Sequence, residues 1–80
     1  MKLITLLATC IHICIETENK VLKRLLYDFA KKKLGEKKII LLYIKIASID
    51  KNTEFYKIMK RWIYFHQGAI IHKMIMDGLN

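Results

Sequence analysis

The stretch LATCIHICIE, residues 7–16, decides how the fold of this chain is interpreted. Three isoleucines alternate there with two cysteines and a histidine, and most of the remaining positions are apolar or small. β-Branched residues favour strands, and apolar side chains on both faces are typical of a strand that is covered on two sides. A second stretch of this kind, KKIILLYIKIAS, spans residues 37–48. Both stretches are therefore predicted to be buried β-strands.

The segment between them, residues 19–34, has the periodicity of an amphipathic helix. Thr17 or Asn19 is suited to cap the start of this helix, and Gly35 is suited to the left-handed conformation that follows its last turn. Strand, helix and strand in this order form a βαβ unit, which is normally right-handed and has parallel strands.

A second helix is predicted after Asp50, with Asn52 or Thr53 as its cap and Gly68 as its end or bend. Its predicted apolar face consists of Phe55, Ile58, Met59, Trp62, Ile63, Phe65 and His66. A short third helix or a continuation follows Gly68. The predicted fold is thus a single α/β domain over residues 1–80, in the order β-α-β-α-(α). An all-helical bundle is the alternative, because short apolar runs can also be buried helices.

The composition predicts a homodimer. A chain of 80 residues buries only about 60–65% of its unfolded surface, yet 54% of its residues are hydrophobic. A sheet of two strands is also marginal in water. Pairing with a second copy would cover the remaining apolar surface and complete the sheet, and twofold dimers are the commonest oligomers.

The charge is strongly basic and unevenly distributed. The formal net charge is +8, from 15 basic and 7 acidic residues. Residues 19–38 contain eight basic and two acidic side chains, which is a net charge of +6. Such a field attracts phosphate polymers, anionic membranes or acidic proteins.

Both predicted helices carry a basic stripe that includes a tyrosine. The first stripe consists of Lys20, Lys23, Arg24, Tyr27 and Lys31, and the second of Lys57, Lys60, Arg61 and Tyr64. Lysine and arginine neutralise phosphates, and tyrosine can stack on a base. The leading hypothesis is a small regulatory protein that binds DNA or RNA. One alternative is a non-enzymatic inhibitor or adaptor with an acidic protein partner. The other is a peripheral membrane binder, which needs an exposed apolar face next to lysines.

The order strand, helix, glycine and helix in residues 38–80 is loosely similar to that of ribbon-helix-helix DNA-binding dimers. The similarity concerns topology alone, because the strand offers Tyr43 and Lys45 where such ribbons present several polar side chains. No family is assigned on this basis.

No enzymatic, metal or cofactor site is predicted. On a strand, Cys10, His12 and Cys14 would share one face with the two cysteines about 13 Å apart, which excludes a disulfide between them. A closed zinc site needs four ligands, usually with paired cysteine spacing that this chain lacks. The three glycines also form no phosphate-binding loop. Both cysteines are therefore interpreted as reduced, packed thiols.

The opening sequence MKLITLLATCIHICI is interpreted as part of the fold. Its apolar run is shorter than the roughly 20 residues that a membrane-spanning helix requires. We therefore expect a cytoplasmic protein without a transmembrane segment.

Overall fold

The fold is entirely helical in the part of the chain that the computed structural model describes, which is residues 3–66 and Ala69. The helices are α1 (Leu3–Glu16), α2 (Lys20–Ala47) and α3 (Glu54–Phe65). The predicted α/β fold is wrong, since residues 7–16 lie within α1 and residues 37–48 lie almost entirely within α2. The all-helical alternative is the correct one, and the topological similarity to ribbon-helix-helix dimers fails because their strand is absent here.

The central helix is α1, which contacts both α2 and α3. Its buried residues cover all sides of the helix and are Leu7, Ala8, Thr9, Cys10, Ile11, Ile13 and Cys14. A helix surrounded by other helices is apolar all round, and so is a strand between two layers. The continuous apolar run of α1 therefore fits both structures, and its alternating isoleucines do not mark two faces of a sheet.

The second helix is broken at Gly35, which has φ 76° and ψ 173°. A straight helix of 28 residues would be about 42 Å long, whereas the longest dimension of the molecule is 29 Å. Tyr27 and Tyr43 lie eight residues before and after the break, and their ring centroids are 6.0 Å apart. The chain therefore reverses at Gly35 into a helical hairpin, whose arms we name α2a (residues 20–34) and α2b (residues 36–47).

The predicted helix starts are confirmed. The Asn19 side chain accepts a hydrogen bond from the Leu22 backbone N–H at 3.2 Å, and the Thr53 hydroxyl accepts one from the Tyr56 N–H at 3.1 Å. Each bond satisfies a backbone donor that lacks a partner within its own helix. The prediction that Gly35 ends the helix of residues 19–34 is also confirmed, and its φ is positive. Its ψ of 173° lies outside the left-handed helical region, so the conformation differs from the predicted one.

The core lies between α1 and one side of each surrounding segment. Those segments contribute Leu22, Leu26 and Ala30 from α2a, Leu42 and Ile46 from α2b, and Tyr56 and Ile63 from α3. The predicted apolar face of α3 is only partly right. Ile63 is buried, but Ile58, Trp62 and Phe65 are exposed. The predicted role of Gly68 and, apart from Ala69, the element expected after it lie outside the described residues.

No helix within residues 3–66 combines the length and the apolar character needed to cross a lipid bilayer. α2 is long enough, but it includes the lysines around its break at Gly35.

Candidate functional site

The first basic stripe is only partly exposed. Lys20, Arg24 and Lys31 lie on the outer face of α2a, whereas Lys23 is half-buried. Tyr27 packs against the ring of Tyr43, and burial raises its pKa. The three exposed residues follow one line along the helix at spacings of four and seven. Asp28 lies on the same line between Arg24 and Lys31 and reduces its charge.

The second stripe, on α3, is also divided. Lys57, Arg61 and Tyr64 are exposed, and the Tyr64 ring contacts that of Phe65 with centroids 5.0 Å apart. Lys60 instead turns toward α1, where its Nζ lies 2.7 Å from Glu16 Oε1. Three of the four predicted residues therefore remain available to a partner.

The strongest concentration of charge lies at the turn of the helical hairpin. It consists of Lys31, Lys32, Lys33, Lys37 and Lys38, which are all exposed, and we name it the lysine tip. Glu36 is the only acidic residue between positions 31 and 38, so five lysines minus one glutamate give a net charge of +4. The reversal at Gly35 brings the end of α2a and the start of α2b to the same end of the molecule.

A chain of polar side chains connects α1 to α3. Tyr56 Oη donates to Glu16 Oε2 at 2.8 Å, and Lys60 Nζ donates to Glu16 Oε1 at 2.7 Å. His12 Nδ1 lies 2.9 Å from Tyr56 Oη. Since the single tyrosine proton is directed at Glu16, we assign a proton to His12 Nδ1, which then donates to Tyr56.

These contacts shift the pKa values of Glu16 and Tyr56 in opposite directions. The hydrogen bonds from Lys60 and Tyr56 hold the pKa of Glu16 below its usual value. Burial, together with the neighbouring Glu16 carboxylate, raises the pKa of Tyr56. Three consecutive contacts thus join His12 and Glu16 on α1 to Tyr56 and Lys60 on α3, so we interpret them as a structural link that fixes how α3 sits on α1. It thereby directs Lys57 and Arg61 outward.

Sequence reasoning did not find this link. His12 and Glu16 are four residues apart, a spacing that places them on one side of a helix. On a strand they would also share a face, but about 13 Å apart. With residues 7–16 predicted to be a strand, His12 and Glu16 were too far apart to share one partner residue, so the sequence did not predict the link.

Replacing Tyr56 with Phe should lower the free energy of unfolding by about 1–3 kcal/mol, because it removes the hydroxyl that bonds Glu16 and leaves Nδ1 of the half-buried His12 without its partner. Tyr64→Phe is the matched control, since that residue is 76% exposed, and it should change stability by no more than about 0.5 kcal/mol. Urea unfolding of both variants makes the comparison. Equal losses would contradict the role assigned to Tyr56.

The same link makes stability depend on pH. Because the pKa of Glu16 is lower in the folded chain, its contribution is present above the unfolded value of about 4.3 and is lost as the pH falls through the folded value. Tyr56→Phe removes one of the hydrogen bonds that lower this pKa. Stability of the variant should therefore fall less than that of the unaltered chain as the pH drops below about 4.3, which urea unfolding at a series of pH values measures.

The two cysteines are unsuited to nucleophilic chemistry. Both are free and fully buried. Burial, together with the nearby Cys14, raises the pKa of Cys10 to about 12. Burial also raises the pKa of Cys14 to about 11, against the opposing effect of Lys23. They lie one turn apart on α1 rather than about 13 Å apart on a strand, so the predicted geometry is corrected. Within residues 3–66 and Ala69, no group of three or more His, Cys, Asp or Glu side chains could hold a metal ion.

Comparisons with known proteins provide no functional analogy. No protein-family model matches the sequence, and no curated protein or solved structure is detectably similar to it. The candidate sites are therefore the surfaces described above, namely the lysine tip and the exposed parts of the two basic stripes.

Proposed function

We propose that this protein is a small, non-enzymatic nucleic-acid-binding protein that contacts phosphate groups through the lysine tip and the outer face of α2a. The observation that carries the proposal is the reversal at Gly35, which gathers five exposed lysines at one end of the molecule. Lys20 and Arg24 extend this basic surface along α2a. Each lysine or arginine that neutralises a phosphate releases a condensed counterion, which favours binding to DNA or RNA.

Binding of this kind is expected to depend little on base sequence. The chain has only two arginines, Arg24 and Arg61, and arginine makes the commonest specific contacts to bases. The exposed ring of Tyr64, near Lys57 and Arg61 on α3, offers a stacking surface for an unpaired base. Phosphate contacts should therefore dominate the affinity.

A gel-shift salt series with unrelated DNA and RNA tests this proposal. Replacing Lys31 and Lys32 with Gln should reduce the slope of log affinity against log salt by up to about two units on duplex DNA, roughly one unit for each lost phosphate contact. Replacing Lys45 and Lys51 with Gln changes the net charge equally but away from the tip, and should leave most of the slope intact. An unaltered chain that binds neither nucleic acid at low salt would refute the proposal.

We further propose that the protein acts as a homodimer in the cytoplasm. The earlier reason based on a two-stranded sheet no longer applies, but eleven large apolar side chains are more than 40% exposed among the described residues. A second copy could cover part of this surface. Sedimentation at micromolar concentration measures the assembly, and the Lys31→Gln, Lys32→Gln variant should sediment like the unaltered chain.

The proposed cytoplasmic location is consistent with two buried, reduced thiols.

An adaptor with an acidic protein partner is the second candidate. The observation that favours it is an open cleft of about 340 Å³ on α3, lined by Ile58, Arg61, Trp62, Phe65 and His66. Tryptophan and arginine are enriched at the centres of protein interfaces. Trp62 is the only tryptophan in the chain. Its fluorescence would therefore report the binding of an acidic amphipathic peptide, which Arg61→Ala should weaken if the cleft is used.

A further inference from the structure

The arm α2b is apolar on two opposite sides. Its inner side contributes Leu42 and Ile46 to the core. Ile40 and Ile44 precede these residues by two positions, which is about 200° around a helix, and each is 61% exposed. Leu41 is 55% exposed beside them. We name Ile40, Leu41 and Ile44 the outward face of α2b. The core does not cover this face, and its aliphatic side chains cannot bind phosphate groups.

Lysines border this face. Lys37 lies one turn before Ile40 and Leu41, while Lys38 and Lys45 lie along one flank, and all three are exposed. Residues 37–49 contain no acidic side chain. Tyr43, at the opposite flank, is 47% exposed and presents an aromatic ring with a polar tip. Apolar side chains between lysines, with a tyrosine at the edge, are characteristic of helices that lie in the interface of a lipid bilayer.

The charge decides between the possible occupants of the outward face. Two copies packed through it around a twofold axis would bring six lysines together with no acidic residue of residues 37–49 between them, and like charges across an interface are unfavourable. The phosphates of a nucleic acid would pair with the lysines. Its phosphates and sugars would, however, provide no apolar surface to cover the three aliphatic side chains. An anionic bilayer satisfies both, because its headgroups carry negative charge above an apolar acyl layer.

We propose that the outward face of α2b binds the surface of an anionic lipid bilayer. Ile40, Leu41 and Ile44 enter the boundary between headgroups and acyl chains, and Lys37, Lys38 and Lys45 contact lipid phosphates. The helix axis lies parallel to the membrane, and over its 12 residues α2b covers about 18 Å. The face points away from the core, so docking requires no rearrangement of the fold. Lys37 and Lys38 also belong to the lysine tip, so a bilayer and a nucleic acid would compete for these two side chains. Ile40, Leu41 and Ile44 serve the bilayer alone.

Flotation with lipid vesicles tests the proposal. The unaltered chain should float with vesicles that contain phosphatidylserine, and much less with vesicles of phosphatidylcholine alone. A variant with Ile40→Ser and Ile44→Ser should lose at least about tenfold in partitioning, equivalent to about 1.4 kcal/mol. The matched control is Ile15→Ser with Val21→Ser, since these residues are 48% and 75% exposed at other places. The control should retain its partitioning within about twofold, as expected for changes outside a binding surface.

Further measurements on the same variants separate the remaining explanations. Far-ultraviolet circular dichroism should be unchanged, because only exposed side chains are replaced. Gel shift should give the same nucleic-acid affinity for the Ile40→Ser, Ile44→Ser variant and the unaltered chain. Flotation and gel shift therefore test the membrane proposal and the nucleic-acid proposal separately. The membrane proposal is overturned if the unaltered chain does not float with anionic vesicles, or if it binds both vesicle types equally. It is also overturned if the variant loses dimerisation while its flotation stays intact.

Discussion

Replacing Ile11 with Ala is expected to lower the free energy of unfolding by about 2–5 kcal/mol, the usual cost of removing a large aliphatic side chain from a packed core. Ile11 is completely buried in the middle of α1, the helix that α2 and α3 surround. The total stability of a chain of this size is about 4–12 kcal/mol. One truncation should therefore remove a large part of it, and the variant should be partly unfolded at moderate temperature.

Ile15→Ala provides the matched comparison. Ile15 belongs to the same helix, is the same residue type and lies one turn after Ile11, but it is 48% exposed. Its truncation should cost less than about 1 kcal/mol, since exposed positions leave no cavity. Urea unfolding followed by circular dichroism measures both values. Similar losses at the two positions would mean that α1 is not the central helix of the core.

The second large effect is expected at Gly35, where replacement with L-Ala should cost about 1–3 kcal/mol. The φ of 76° and ψ of 173° belong to a region that residues with a side chain rarely adopt. A Cβ added at Gly35 would meet nothing within 4 Å. The cost therefore comes from the backbone conformation and not from a steric clash.

This distinction can be measured by chemical synthesis with D-Ala at position 35. The mirror image of φ 76°, ψ 173° is an ordinary extended conformation for an L-residue, so D-Ala fits this backbone without strain. It also restricts the unfolded chain, which should make the D-Ala variant as stable as the glycine form or slightly more stable. A loss with D-Ala equal to that with L-Ala would refute the backbone explanation.

Local signals in the sequence identified the parts of the fold that local chemistry controls. Asn19 and Thr53 cap their helices, and Gly35 takes a positive φ, because each acts through its own backbone or that of residues three positions away. These features need no knowledge of the tertiary fold. They were therefore predictable from residue type and position.

The central helix was not predictable in this way. Continuous burial of residues such as Cys10 and Ile11 arises from neighbours on every side, and a sequence does not reveal how many layers surround a segment. In α2b, the isoleucines that favoured a strand include two that are exposed, Ile40 and Ile44. Their β-branched side chains indicated strand propensity. Packing of Leu42 and Ile46 against the core outweighed that propensity.

The orientation of α3 was also set by tertiary contacts. Tyr56 and Lys60 face inward to reach Glu16, which rotates Trp62 and Phe65 away from the core. Hydropathy alone places the aromatic residues inside. The basic stripes were predicted by assigning polar residues to the outer side of each helix and apolar residues to the inner side. They therefore included Tyr27 and Lys60, which instead contact Tyr43 and Glu16 within the fold.

The one-residue turn at Gly35 also creates a route to exchange of segments between copies. If this residue became helical, α2 would extend as one rod of about 42 Å, and Leu42 and Ile46 would leave the core they share with α1. The vacated place could be filled by the same arm of a second molecule. Each exchanged unit would then contain the native contacts, built from two chains, and protein concentration would decide between the closed and exchanged forms. Glycine at this position therefore helps keep each chain folded on itself.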